Sequence, residues 1–235
     1  MQYYEADIYP MKTKKKPIAV NIILVILSLA VLAFLATRTV SWMGQRDKAK
    51  LLTLVNPWNE LSGDVNPEFT ILEGTQMVDS RCAADLEKML RDCRVAGHRP
   101  YILSSYRAWS EQEKMYQEKV SELMAQGLDR EAAEASAKSR ASAPGTSEHQ
   151  LGLAVDIVDE EYTVLDETQA DTETQQWLME NSWRYGFILR YPEGKSDITG
   201  VAYEPWHYRY VGLTAAQQIF ELDITLEEYV DMFYA

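Results

Sequence analysis

Histidine and cysteine are scarce in this chain of 235 residues, which holds three of the first and two of the second. That scarcity narrows any search for metal or nucleophile chemistry to a handful of positions. Repeats and low-complexity tracts are absent, so disorder is expected only at the ends and in one linker. Basic charge is also thin after the N-terminus. Five of the 23 basic side chains and two of the 36 acidic ones lie in residues 1–38, so residues 39–235 carry 18 against 34, a net charge of −16. Such a surface excludes nucleic acid and anionic membrane as partners through bulk electrostatics. An anionic ligand must then be met by particular residues.

Uncharged apolar runs are equally rare, with one exception. Residues 18–36 (IAVNIILVILSLAVLAFLA) contain no charge and suffice to cross most of a hydrocarbon core as a helix. Lys12, Lys14, Lys15 and Lys16 precede this run and Arg38 stands alone after it. The positive-inside rule therefore puts the N-terminus in the cytoplasm and everything after Arg38 outside. A cleaved signal peptide is the competing reading, but no clear Ala-x-Ala site follows. The expected plan is a cytoplasmic tail (1–17), a transmembrane signal anchor (18–38), an extracytoplasmic stalk (39–68) and one globular domain (69–235).

Outside the cytoplasm a disulfide between Cys82 and Cys93 is permitted. Both fall on one expected helix, however. Eleven residues at a rise of about 1.5 Å separate their Cα atoms by roughly 16 Å, beyond disulfide reach, so two buried thiols are expected.

Within the domain, Leu86, Met89, Leu90 and Cys93 recur at helical spacing between Asp79 or Ser80 and Arg94. Residues 101–104 read as a short strand. Ser110 with Glu113 signals the capped start of a long helix, and Asp129 caps an alanine-rich helix ending near Ala141. Residues 153–158 read as a strand, 172–185 as a helix closed by Gly186, and 187–191 as strand. Residues 201–211 hold a further strand or extended segment. Thr214 with Gln217 and Thr225 with Glu228 start two terminal helices. Strands and helices alternate without a βαβ rhythm, so the class is α+β.

Two of the three histidines sit in unusual company. His149 lies seven residues before Asp156, a carboxylate set in an otherwise apolar strand where Ala154, Asp156 and Val158 share one face. A bare buried carboxylate costs several kcal/mol unless an arginine, backbone donors or a metal compensates it. His207, fifty-one residues further on, supplies a third ligand of the type and spacing zinc accepts, leaving a coordination position open for water. Glu204, three residues earlier, is placed to act as general base. From spacing alone the histidines could equally be ordinary hydrogen-bonding side chains, and His98, in a turn, is read so. Arg107, at a strand-to-helix turn, could pair with a surface acid or hold a substrate carboxylate.

These motifs resemble those of the VanY-type D-alanyl-D-alanine carboxypeptidases, zinc peptidases that share their fold with the hedgehog signalling domain. The resemblance runs from about Val78 to Gly212. It is carried by Ser104-Ser105-Tyr106-Arg107, by Ser147-x-His149-x-x-Gly152-x-Ala154-x-Asp156, by Gly186-Phe187-Ile188-Leu189-Arg190-Tyr191-Pro192, and by Glu204-Pro205-Trp206-His207-Tyr208. It implies a small antiparallel sheet flanked by helices. It further implies one zinc ion held by His149, Asp156 and His207, Glu204 as catalytic base, Arg107 binding or polarising substrate, and Ser147 and Gln112 lining the cleft. Trp206 and Tyr208 are expected to wall the pocket.

The implied reaction removes the terminal D-alanine of peptidoglycan stem peptides. Ser104-Ser105 departs from the serine-glycine of many relatives, and Ala108-Trp109 after the arginine is a second departure. D,D-cleavage of pentapeptides and L,D-cleavage of tetrapeptides both stay open, as do an endopeptidase and a non-catalytic zinc-containing wall-binding module.

Overall fold

An aspartate ahead of an amphipathic run starts the first long helix. Asp79 accepts the backbone N–H of Arg81, and the helix α1 (Ser80–Val95) follows. The structure, a computed structural model, describes residues 50–138 and 142–234. The expected membrane anchor lies outside the described residues, as does the expected end of the alanine-rich helix near Ala141. Among the described residues no helix is long and apolar enough to cross a membrane.

Ahead of α1, two short strands, β1 (Phe69–Ile71) and β2 (Met77–Asp79), pair antiparallel in a ribbon that the sequence pattern did not signal. After α1 come β3 (Pro100–Ser104), α2 (Trp109–Ala125), α3 (Arg130–Lys138), β4 (Ala154–Asp159), α4 (Glu173–Asn181), β5 (Phe187–Leu189), the single turn α5 (Ser196–Thr199), β6 (His207–Tyr210), α6 (Leu213–Leu222) and α7 (Leu226–Tyr234). Strands β3 to β6 form one antiparallel sheet in the order β3-β4-β6-β5. The α+β class and the small antiparallel sheet therefore stand.

The sheet has two unlike faces, set by the period of two along each strand. Val155 and Ile157 of β4 and Tyr208 and Tyr210 of β6 join Leu86, Met89, Leu90 and Cys93 of α1 in the main apolar core. Leu86 and Met89 are fully buried, and truncating either to alanine would cost about 2–5 kcal/mol. Asp156, His207 and Arg209 point to the opposite face. Beyond it, α6 and α7 close a second apolar cluster around Ile188, Val211 and Leu226. Cys82 and Cys93 are both free and buried on α1, and burial pushes each thiol up to about 12.

Several boundaries differ from the sequence reading for local reasons. Helix α2 begins at Trp109 rather than at Ser110, because Glu111 accepts from the Ala108 N–H and Asp64 accepts from the Trp109 N–H. Helix α6 begins after Gly212 without a side-chain cap, so the Thr214–Gln217 signal is not used. The Thr225–Glu228 box forms in both directions: Thr225 N–H donates to Glu228 and Glu228 N–H to the Thr225 hydroxyl. Residues 182–185 tighten into a 3₁₀ turn before Gly186, whose φ of 80° closes it.

The described part of the expected stalk is docked on the domain through Leu51, Leu52 and Leu54. Residues 50–68 belong to the same compact unit as the domain, with Val55 and Asn56 fully buried. Arg209 fastens this segment by donating to the carbonyls of Leu51 and Thr53.

Candidate metal centre and cleft

The site is assembled where two neighbouring strands meet a tight turn. Asp156 on β4 and His207 on β6 are direct cross-strand partners, so their side chains rise side by side from one face. His149 comes from a 3₁₀ turn (Glu148–Leu151) that leads into β4 and ends at Gly152 in the left-handed conformation, φ 71°. A Cβ at Gly152 would lie 3.1 Å from the Asp79 backbone nitrogen, so glycine is demanded twice over.

Three donor atoms converge there. One oxygen of Asp156 lies 2.9 Å from His207 Nδ1 and the other 3.2 Å from His149 Nε2. One ligand atom from each of the three residues lies within 4.8 Å of the others, and all three side chains are buried. The second nitrogen of His149 is occupied, 2.7 Å from the Ser105 carbonyl. That contact leaves Nε2 facing the cluster. Two imidazoles and a carboxylate converging with three different ring or carboxyl atoms fit the donor set of a catalytic zinc site.

Burial opposes the ionisation of Asp156, but His149 and His207 outweigh it and hold the carboxyl well below its usual range. Burial likewise opposes protonation of His207, and here Asp156 and Glu148 win, lifting the imidazole to about 9. For His149 burial prevails over Asp156, and its pKa is lowered. Glu204 stands at the edge of the cluster, 3.8 Å from His207 Nδ1, with a quarter of its side chain exposed. Burial pushes its carboxyl up to about 7, reinforced by Asp156 and Glu148 and opposed by His207 and Arg107. A carboxyl in that range is poised to exchange protons near neutrality.

These groups line a cleft of about 720 Å³. Arg107 lies on its wall, donating to the side-chain oxygen of Gln112 at 2.7 Å and to Ser104 Oγ at 2.8 Å. Gln112 in turn donates to the Ser142 carbonyl, so the arginine is held by a chain of polar contacts rather than by an acid. Burial lowers the Arg107 pKa while Asp156, Glu111 and Glu204 raise it. Ser147, Gln112 and Trp206 all line the cleft.

Tyr208 does not line it. The expectation that it walls the pocket is corrected by strand alternation: the neighbour of His207 in β6 must face the other way. Tyr208 is fully buried in the core, donating to Gln175 at 2.8 Å. His98 lies apart from the cluster, its ring 6.4 Å from that of Trp177.

The sequence reading missed four contributors. Tyr191 lies beside His207, ring centroids 4.8 Å apart and planes tilted by 36°, and lines the cleft. The segment from Leu165 to Thr168 and the loop from Val201 to Tyr203 supply further wall. Glu148, beside His149, is fully buried against Arg190 and Arg209. In the sequence Arg190 and Arg209 stand in strand-like runs and call for acids, but nothing local names Glu148 as their partner.

A family model described as VanY, D-alanyl-D-alanine carboxypeptidase, matches residues 75–213. A D-alanyl-D-alanine carboxypeptidase of Enterococcus faecalis is 41% identical over 180 residues, covering 77% of this chain and 65% of the relative. The chain thus spans about two thirds of that relative's length. Among solved structures, a mutant of the vancomycin-resistance D,D-pentapeptidase VanY in complex with Zn(II) is 41% identical, with a TM-score of 0.69, covering 77% of this chain and 99% of that one. VanYB in complex with D-alanine-D-alanine gives 41%, 0.70, 77% and 98%. The LD-carboxypeptidase LdcB gives 38% identity, a TM-score of 0.63, and 77% and 86% coverage.

Proposed function

From the premise that the chain belongs to the VanY family of D-alanyl-D-alanine carboxypeptidases, we propose that it is a zinc metallopeptidase removing the terminal D-alanine from peptidoglycan stem peptides. The observation that carries this reading is the convergence of His149, Asp156 and His207 in one cleft with Glu204 and Arg107. His149 through Nε2, Asp156 through a carboxylate oxygen and His207 through Nδ1 would hold the ion. When bound, zinc supplies Lewis-acid polarisation of a carbonyl and lowers the pKa of water to about 7.

The chain's own residues do the rest. Glu204, with its carboxyl near 7, takes the proton of the attacking water and returns one to the departing amine. A peptide ending in a free carboxylate needs a cation in the cleft, and Arg107 offers its guanidinium there with geometry suited to a carboxylate. Holding substrate and base in one geometry contributes by proximity, independent of the chemistry of any one group. Ser147 and Gln112 orient the peptide, and Trp206 provides an apolar wall for the small D-alanine methyl groups.

The test is incubation of the zinc-loaded protein with purified pentapeptide and tetrapeptide stems, following released alanine by mass spectrometry beside a chelated control. Chelator-sensitive release of alanine from the pentapeptide alone is the expected result. Release from the tetrapeptide alone would move the activity to L,D-cleavage, the second reading, which the 38% identity to an LD-carboxypeptidase favours. Zinc binding with release from neither stem would overturn the peptidase assignment.

Residues 18–38 are proposed as a single membrane-spanning anchor, on the strength of the charge-free run and the four lysines ahead of it. The catalytic domain then faces the cell wall. Proteolysis of intact spheroplasts checks this: digestion of the domain from outside supports it, and protection overturns it.

A further inference from the structure

Behind the metal centre lies a second polar cluster that none of the catalytic roles uses. Glu148, Arg190 and Arg209 have fully buried side chains, and Glu227 is nearly so. One oxygen of Glu148, Oε1, accepts from Arg190 Nε at 2.8 Å and from Arg209 Nη1 at 2.6 Å. Arg190 is completed by a two-pronged contact with Glu227, at 2.9 and 2.5 Å. Two arginines and two glutamates balance, so the cluster is neutral as it stands.

The other oxygen of Glu148 is left over. Oε2 is buried with no hydrogen-bond partner, and so is Nε2 of His207. These two orphans face each other at 3.6 Å, just beyond hydrogen-bond length. Buried polar atoms without partners are uncommon, and a pair that meets only itself is rarer still. An N–H on Nε2 would satisfy both atoms after a movement of a few tenths of an ångström. In the neutral ring it would also settle the tautomer, leaving Nδ1, the nitrogen beside Asp156, as the one able to ligate.

We propose that Glu148 is a positioning residue for His207, receiving its Nε2–H so that Nδ1 is presented to the metal. The two arginines hold the carboxylate in place by occupying its far oxygen, and Arg209 is itself tied to the carbonyls of Leu51 and Thr53. The segment just before the domain thereby becomes part of the seat of a metal ligand. Outer partners of this kind typically change metal affinity 10–100-fold when removed. The inference rests on the zinc reading of the site, and its test separates the two.

Zinc affinity is measured by competition with a chromogenic chelator for the wild-type protein and for Glu148→Gln, Glu148→Asp and Glu227→Gln, alongside thermal unfolding of each metal-free form. If the wild-type protein binds no zinc, the zinc reading fails and this inference falls with it. If it binds, Glu148→Gln is expected to weaken zinc 10–100-fold, because its amide can keep an oxygen on the arginines only by turning an N–H group toward Nε2. Glu148→Asp keeps the charge but withdraws it, and is expected to fold and to weaken zinc as well. Glu227→Gln touches Arg190 and Asn56 but not Glu148, and is expected to lower the melting temperature of the metal-free form while leaving zinc affinity unchanged. Wild-type affinity in a folded Glu148 variant, or an equal loss in Glu227→Gln, overturns the proposal. Long-range ¹H–¹⁵N spectra of the zinc-loaded wild type give a check that needs no variant: the proposal requires a proton on His207 Nε2, and a metal-ligated Nε2 overturns it.

Discussion

Two buried polar clusters share strand β6 and one face of the sheet, yet they are built on opposite terms. Around Arg190 and Arg209, two cations meet two carboxylates, and the arginine donors find oxygens at 2.5–3.1 Å. Around Asp156, the ligand-side nitrogens of His207 and His149 crowd a single carboxylate at 2.9 and 3.2 Å. In the first cluster every arginine nitrogen is answered by a protein oxygen, and Glu148 Oε2 alone is left over, facing His207. The second is complete only with something the chain does not encode. Charge balance separates a group that holds a fold together from a group that waits for a ligand, although both are buried to the same degree.

The sharpest way to break this contrast is to remove a donor from the incomplete cluster. Asp156→Ala or His207→Ala is expected to abolish zinc binding and turnover, while equilibrium unfolding of the metal-free protein changes comparatively little; retained stoichiometric zinc by elemental analysis would contradict the assignment. Glu204→Gln tests the boundary of the same cluster. It should keep zinc and lower kcat by about 10²–10⁴-fold, and full turnover would dismiss Glu204 as the base.

In the arginine cluster the signs reverse. Arg190→Ala leaves Glu148 and Glu227 with one arginine between them, and should destabilise the fold by about 3–5 kcal/mol in urea titrations. A loss below about 1 kcal/mol would mean that the charges are not the structural element described.

The acid dependence sharpens the comparison further. A base must be deprotonated to act, so with the Glu204 carboxyl at about 7, turnover should fall about tenfold per pH unit below that point. The stability effect of the same group has the opposite sense. Its pKa is raised on folding from 4.5, so the folded state binds the extra proton, and stability conferred below 4.5 is lost as pH rises through about 7. A pH–rate profile flat from 5 to 8 would contradict the Glu204 assignment. The smallest effect belongs to the apolar face. Tyr208→Phe removes one buried hydrogen bond to Gln175 and should cost about 1 kcal/mol without changing kcat; a fall in kcat at constant zinc affinity would return Tyr208 to the cleft.

Much of the site was legible in the chain because its signals are local. A carboxylate within an apolar strand, a histidine seven residues before it, and a glutamate three residues before a second histidine are all features of short stretches. Helix α1 and the cap at Thr225 were legible for the same reason, since capping and periodicity act within a few residues. The two-stranded ribbon of β1 and β2 was not, because three-residue strands carry too few side chains to register a period. The placement of Tyr208 was misread although the rule that decides it, alternation, is itself local. Treating the tyrosine as a neighbour of His207 in sequence overlooked that adjacent strand residues are never neighbours on one face.

By itself, then, the sequence determined the α+β class, the identity of the three candidate ligands and of the proposed base, and the two free thiols on one helix. Tertiary structure decided which atoms of those ligands converge, because the register Asp156 opposite His207 is a property of two strands and not of either. It also decided how residues 50–68 dock on the domain, since the carbonyls of Leu51 and Thr53 are held by an arginine more than 150 residues away. The pairing of Glu148 with Arg190 and Arg209 belongs there too. Long-range charge neutralisation leaves no periodic trace in a sequence, because each partner sees the other only after the chain has folded.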